Sequence, residues 1–153
     1  MGLLSFFKGV GEKIFHKDDA QPADAAKAEP VRAQALLDHV KQLGLAYNTL
    51  TVKTNGDTVS LTGSVKKQED AEKIALAVGN VEGVSAVDNQ LTVDEPTPEG
   101  KYYTVKSGDS LSKIAKEVYG DAMKYGVIFE ANKPMLSDPD KIYPDQVLRI
   151  PQL

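Results

Sequence analysis

The run Tyr103-Thr104-Val105-Lys106-Ser107-Gly108-Asp109-Ser110-Leu111 reads as the end of one element and the start of another. Tyr103 and Val105 alternate with Thr104 and Lys106, the period of a half-buried strand. Gly108 permits a sharp exit from that strand. Asp109 carries an oxygen that can cap the unpaired N–H groups of a helix starting at Leu111. Toward the C-terminus, Leu111, Ile114, Ala115 and Val118 form one helical stripe, and Met123, Val127, Ile128 and Ala131 form a second. Asn132 is expected to end the second helix in a left-handed conformation, with Pro134 preventing its continuation. Val147, Leu148 and Ile150 return as a strand that Pro151 stops. Residues 102–153 therefore read as strand, helix, helix, strand.

Toward the N-terminus, Pro96 and Pro98 mark 96–101 as a short, stiff connection. The block before it, 31–95, has a different rhythm. Leu36, Leu37, Val40 and Leu43 have helical spacing, with Gly44 as a stop. Leu50 and Val52, then Val59 and Leu61, form two alternating runs joined across Asn55-Gly56-Asp57, a strong hairpin signal. Ala71, Ile74, Ala75 and Val78 fall at i, i+3, i+4 and i+7 of a second helix that ends near Gly79. Val84, Ala86 or Val87, Leu91 and Val93 suggest one last strand. The order is helix, strand, strand, helix, strand. Residues 16–30, rich in Ala, Asp and Pro, read as a linker. In 1–15 a stripe of Leu3, Phe7, Val10 and Ile14, flanked by Leu4, Phe6 and Phe15, predicts an amphipathic segment. Gly2, Gly9 and Gly11 make it a poor free helix, so it should order by docking its apolar face on the block at 31–95.

With 153 residues the chain has room for two very small domains, and its net charge of −4 is mild. Lys and Arg are scattered, without the basic face of a nucleic-acid binder. Cysteine is absent, which excludes disulfides and thiolate metal sites. The apolar start is interrupted by Lys8 and Gly9 and has no basic residue before it, unlike a secretory signal. It is also too short to span a bilayer. A cytoplasmic protein, with a monomer as the simplest assembly, is expected. His16 and His39 have no nucleophile in a recognisable motif and no phosphate-cradling loop beside them, so no enzyme is expected.

Certain stretches carry family resemblances. The C-terminal block resembles the LysM family through 103–111, Ile114-Ala115, Tyr119-Gly120, Ala131-Asn132-Lys133-Pro134, Ile142-Tyr143-Pro144 and Leu148-Arg149-Ile150-Pro151. It departs at Asp145, where family members usually carry Gly; Asp still tolerates the turn. The middle block resembles the BON family through its element order, Leu61-Thr62-Gly63-Ser64-Val65 and Val81-Glu82-Gly83-Val84. The implied fold class is α+β: a BON-like αββαβ domain, then a LysM βααβ domain, behind the N-terminal segment. The whole chain is similar to a bacterial cytoplasmic potassium-binding family with the same two modules.

That resemblance implies K⁺ as the ligand, with Rb⁺ or Cs⁺ as candidate substitutes. It also implies the backbone carbonyls of Phe7, Lys8, Val10, Gly79, Val81 and Val84 as the site. Carbonyl dipoles suit a large, weakly hydrated cation and leave no side-chain signature. A helix ending near Gly79 leaves its last carbonyls unpaired at the negative pole of its dipole. Gly79 and Gly83 would let the next loop curl. Ion binding would order residues 1–15 and bring the modules together, as a sensor or buffer. The LysM resemblance alone implies a glycan groove at Gly108, Asp109, Ser110, Leu111, Asn132, Pro134 and Met135. Peptidoglycan is not the favoured partner, because a cytoplasmic protein rarely meets it. BON-mediated membrane binding is a further alternative, and it is disfavoured because Glu12 offsets Lys8 and Lys13.

Overall fold

The computed structural model describes residues 3–6, 25–81, 83–97, 101–133 and 135–151. The chain divides into two compact units, Met1–Glu99 and Gly100–Leu153. Both mix helix and sheet, so the α+β class holds.

In the first unit β1 (Leu3–Ser5) is followed by α1 (Ala25–Leu43), β2 (Thr49–Asn55), β3 (Thr58–Lys67), α2 (Gln68–Gly79), β4 (Ala86–Asn89) and β5 (Thr92–Glu95). The sheet order is β1-β4-β3-β2, with β5 also beside β3. The Asn-Gly signal forms the expected hairpin: β2 and β3 pair antiparallel from Asn55↔Thr58 to Thr49↔Ser64. Helix α2 crosses over so that β4 runs parallel to β3. Its Ala71, Ile74, Ala75 and Val78 are fully buried, as are Leu36 and Val40 of α1 and Val59, Leu61, Val65 and Val87 of the sheet. At about 25 cal/mol per Å² of apolar surface, this cluster is what holds so small a domain together.

Three expectations change. Leu3–Ser5 is a strand, paired antiparallel with β4 (Leu3↔Asp88, Leu4↔Val87, Ser5↔Ala86). Residues 3–6 do dock on the first unit, but the glycines around them weaken a helix, whereas a strand satisfies the open N–H and C=O groups along β4. Phe7, Val10, Ile14 and Phe15, the rest of that stripe, lie outside the described residues. Helix α1 starts at Ala25, inside the stretch read as a linker, because Ala25-Ala26-Lys27-Ala28-Glu29 has high helix propensity that outweighs Pro30. The last strand is two strands. β4 pairs with β3 over Thr58–Leu61 and β5 pairs with it over Ser64–Lys67. Between these stretches lies Gly63, with φ +128° and no room for a Cβ, which would sit 2.3 Å from the Thr49 carbonyl oxygen. Across the break, the buried Asn89 side chain donates to Ala71 O (3.3 Å) and accepts from Leu91 N (3.2 Å).

The second unit runs β6 (Lys101–Thr104), α3 (Leu111–Tyr119), a 3-10 turn (Ala122–Lys124), α4 (Tyr125–Ala131) and β7 (Val147–Ile150). β6 and β7 pair antiparallel, with Tyr103 opposite Leu148. Val105, Leu111, Ile114, Ala115, Ile128, Leu136, Leu148 and Ile150 form its core. Met123 is 81% exposed, so the second stripe starts after it. Asp145 takes φ +71°, the left-handed turn expected where relatives have Gly.

Candidate functional site

The end of α2 has the makings of a cation site in its backbone. Glu69 and Asp70 occupy the first turn, where the dipole favours anions, and no basic residue occupies the last turn. The negative pole is therefore left uncompensated by the helix's own side chains. Asn80 N–H closes the last helical bond to Leu76 O (2.9 Å), and Val84 N–H donates to Val81 O (3.1 Å) across the turn at Gly83. Among the described residues no backbone N–H donates to the carbonyl of Gly79 or Val84. Gly79, Asn80, Val81 and Val84 are all buried, so these carbonyls sit away from water in a low-dielectric setting that strengthens their pull on a cation. The Val81 carbonyl, with one lone pair engaged, keeps a second.

β1 delivers the N-terminal chain to this place. Phe6 N–H donates to Ser85 O (2.8 Å), one residue beyond Val84. The Phe6 side chain is buried against Gly79: a Cβ built on Gly79 would lie 2.1, 2.3 and 2.4 Å from its Cζ, Cε2 and Cε1 atoms. Gly83 takes φ +103°, the curl expected of it, but Gly79 is not among the positive-φ glycines. Gly79 is thus required by the close approach of Phe6 and not by its backbone. Of the six carbonyl candidates, Gly79, Val81 and Val84 lie together here. Phe7, Lys8 and Val10 lie outside the described residues, directly after Phe6. Sequence reasoning missed the role of Phe6, because a residue on the flank of a helical stripe gives no sign that its ring meets a glycine in another helix. Among the described residues no group of three His, Asp or Glu side chains could hold a metal ion.

The second unit offers a different feature, a cleft of about 260 Å³ lined by Ser110, Leu111, Ser112, Tyr125, Pro139 and Asp140. Of the seven glycan-groove candidates only Ser110 and Leu111 line it. Asp109 does not cap α3; Ser110 does, accepting from Lys113 N–H (3.3 Å). Asp109 instead accepts from Lys106 N–H (2.9 Å) and from the Tyr103 hydroxyl (2.8 Å). The Lys106 N–H first, then the Tyr103 hydroxyl, hold the Asp109 carboxyl below its ordinary range against its burial. Burial first, then the Asp109 and Glu117 carboxylates, push the Tyr103 hydroxyl up. Asn132 has φ −110° and is not left-handed. Its buried side chain donates to Ile128 O (2.8 Å) and Arg149 O (2.9 Å) and accepts from Arg149 N–H (2.7 Å), clipping α4 to β7. Met135 packs on the core, Gly108 makes the turn before α3 at φ +87°, and Pro134 lies outside the described residues. No described helix is long and apolar enough to cross a membrane.

Comparison with known proteins agrees with this division. The BON domain family matches residues 29–95 and the LysM domain family residues 103–151. The chain is 44% identical over 153 residues to potassium binding protein Kbp of Escherichia coli O6:H1, covering 99% of both chains. It is 39% identical over 131 residues to an uncharacterized protein of Deinococcus radiodurans, covering 78% of this chain and 51% of that one. A third relative, YqbP of Bacillus subtilis, is 39% identical over 61 residues, covering 34% of this chain and 28% of its own. The chain belongs to the family of potassium binding protein Kbp, a BON domain followed by a LysM domain.

Proposed function

We propose that this member of the family is a cytoplasmic, non-catalytic K⁺-binding protein that holds its ion in backbone carbonyls. Gly79, Val81 and Val84 supply one half of the cage, and Phe7, Lys8 and Val10 supply the other. The observation that carries this reading is the docking of β1 and Phe6 beside the buried Gly79 and Val84, whose carbonyls accept from no described backbone N–H, at the uncompensated negative end of α2. The near-full-length similarity to a protein named for potassium binding supports it. Carbonyl oxygens replace the loosely held water of K⁺ without the charge density that would favour Mg²⁺ or Ca²⁺. Rb⁺ and Cs⁺, of similar softness, would substitute.

Since the two halves of the cage come from segments far apart in the chain, the ion shifts the population toward the assembled state. It thereby orders the N-terminal segment against the BON domain, as a sensor or buffer would require. The test is thermal melting of the full chain in matched KCl, NaCl and choline chloride. A ligand that binds only the folded state raises the melting temperature with its concentration. K⁺ should do so above the other two, and equal melting in all three salts would sink the ion reading. The cleft at Ser110 and Leu111 supports glycan binding as a second reading, which co-sedimentation with purified peptidoglycan tests.

A further inference from the structure

We propose that Phe6 is the positioning residue of the ion site, a latch whose ring fills the notch left by the missing side chain of Gly79. The inference rests on the carbonyl-site reading and adds how the N-terminal half of the cage is held in place.

β1 contributes only three residues to the edge of the sheet, too few for main-chain pairing to fix the chain that follows. The first residue beyond the strand is Phe6, 8% exposed, with its N–H bonded to Ser85 O and its ring tip directed at Gly79. Three ring atoms lie within 2.4 Å of where a Cβ on Gly79 would be, so the ring stands in the place of that side chain. The backbone of Gly79 is ordinary helix, and an L-residue would fit it if Phe6 were elsewhere. Gly79 is therefore glycine for the sake of Phe6. The same residue offers a carbonyl to the ion and a bare Cα to the ring, so ion ligand and latch share one position. Phe7 and Lys8 follow Phe6 directly, and whatever fixes Phe6 fixes where their carbonyls begin.

The contact makes a prediction that a carbonyl-only role for Gly79 does not. Gly79→Ala leaves every main-chain carbonyl in place and adds only the methyl that collides with the ring. Potassium binding to the full chain is measured by calorimetric titration with KCl, alongside the melting temperature in choline chloride. If unlatching lowers the docked fraction of the ion-free chain about tenfold, the apparent dissociation constant rises about tenfold. Gly79→Ala, Phe6→Ala and the milder Phe6→Leu should each weaken K⁺ binding while the choline melt shows a chain still folded at the temperature of the titration. Combining Gly79→Ala with Phe6→Leu, which shortens the group facing the new methyl, should recover part of the loss. K⁺ affinity unchanged in both Gly79→Ala and Phe6→Ala would overturn the latch while leaving the carbonyl site standing. Losses that add in the double variant, with no recovery, would also overturn it. An unaltered chain with no calorimetric K⁺ signal removes the latch and the site together.

Discussion

Helices α2 and α4 both end in buried chain with no basic residue in the last turn, yet their ends are finished in different ways. At the end of α4 the Asn132 side chain supplies donors for Ile128 O and Arg149 O and accepts from Arg149 N–H. At the end of α2 no described backbone N–H reaches the carbonyls of Gly79 or Val84, and the Phe6 ring packs against Gly79. A buried carbonyl without a partner is costly, so each end needs its electron pairs taken up. The α4 end meets that need from within the chain and is closed. The α2 end, under the function we propose, leaves it for a cation. Whether a helix terminus is structural or receptive thus turns on who provides the donor.

The contrast can be broken most forcefully at Asn132. Asn132→Ala removes three hydrogen bonds and strands buried groups, each costing about 1–3 kcal/mol, so the LysM unit should lose about 3 kcal/mol or more in urea unfolding. The K⁺ response of the first unit should persist. A loss below about 1 kcal/mol would mean that the clip does not close this end. Next in size is the ion itself. Above its dissociation constant, each tenfold rise in K⁺ should add about 1.4 kcal/mol to protection of the α2 amides in hydrogen exchange, with no equal gain in α3.

A smaller effect separates the two units by pH. Asp109 has a depressed pKa, so its contribution to the LysM unit is present above the ordinary carboxylate range and is lost as pH falls through the folded value. Tyr103 has a raised one, so its contribution is present below the ordinary tyrosine value and lost as pH rises toward the folded value. Melting of the LysM unit should weaken at both extremes, and Asp109→Asn should flatten the acid limb. The proposed carbonyl ligands do not titrate, so K⁺ affinity measured at pH 6 and 8 should agree. The slightest change concerns Asp145, the non-glycine residue at positive φ among those described. Relief of the left-handed strain by Asp145→Gly should raise LysM stability by up to about 1 kcal/mol in the same urea titration.

The same contrast explains what the sequence disclosed. The LysM elements and the Asn55-Gly56 hairpin were legible because side-chain periodicity and turn chemistry determine them directly. The roles of Asp109 and Asn132 were misjudged in detail: Asp109 turns back to the Lys106 N–H three residues before it, and Asn132 clips to Arg149, a partner that only the folded geometry brings near. The helix end at Gly79 was legible from its stripe. The strand at Leu3–Ser5 was not, since its partner β4 is remote and its own pattern fits a helix equally well. The glycine–ring contact was illegible for a simpler reason. It is defined by the absence of an atom, and an absent Cβ has no periodicity.

The pairing of Leu3 with Asp88 has a consequence for synthesis. Once made, β1 must wait for a partner made roughly eighty-five residues later, which at about 5–20 residues per second is roughly 4–17 s. Helix α1 and the β2–β3 hairpin are complete well before then. The edge of the sheet, and with it the meeting place of Phe6 and Gly79, is thus assembled late in the life of the nascent chain. Slowing translation after residue 67 would prolong the interval in which the β1 segment is open to proteases.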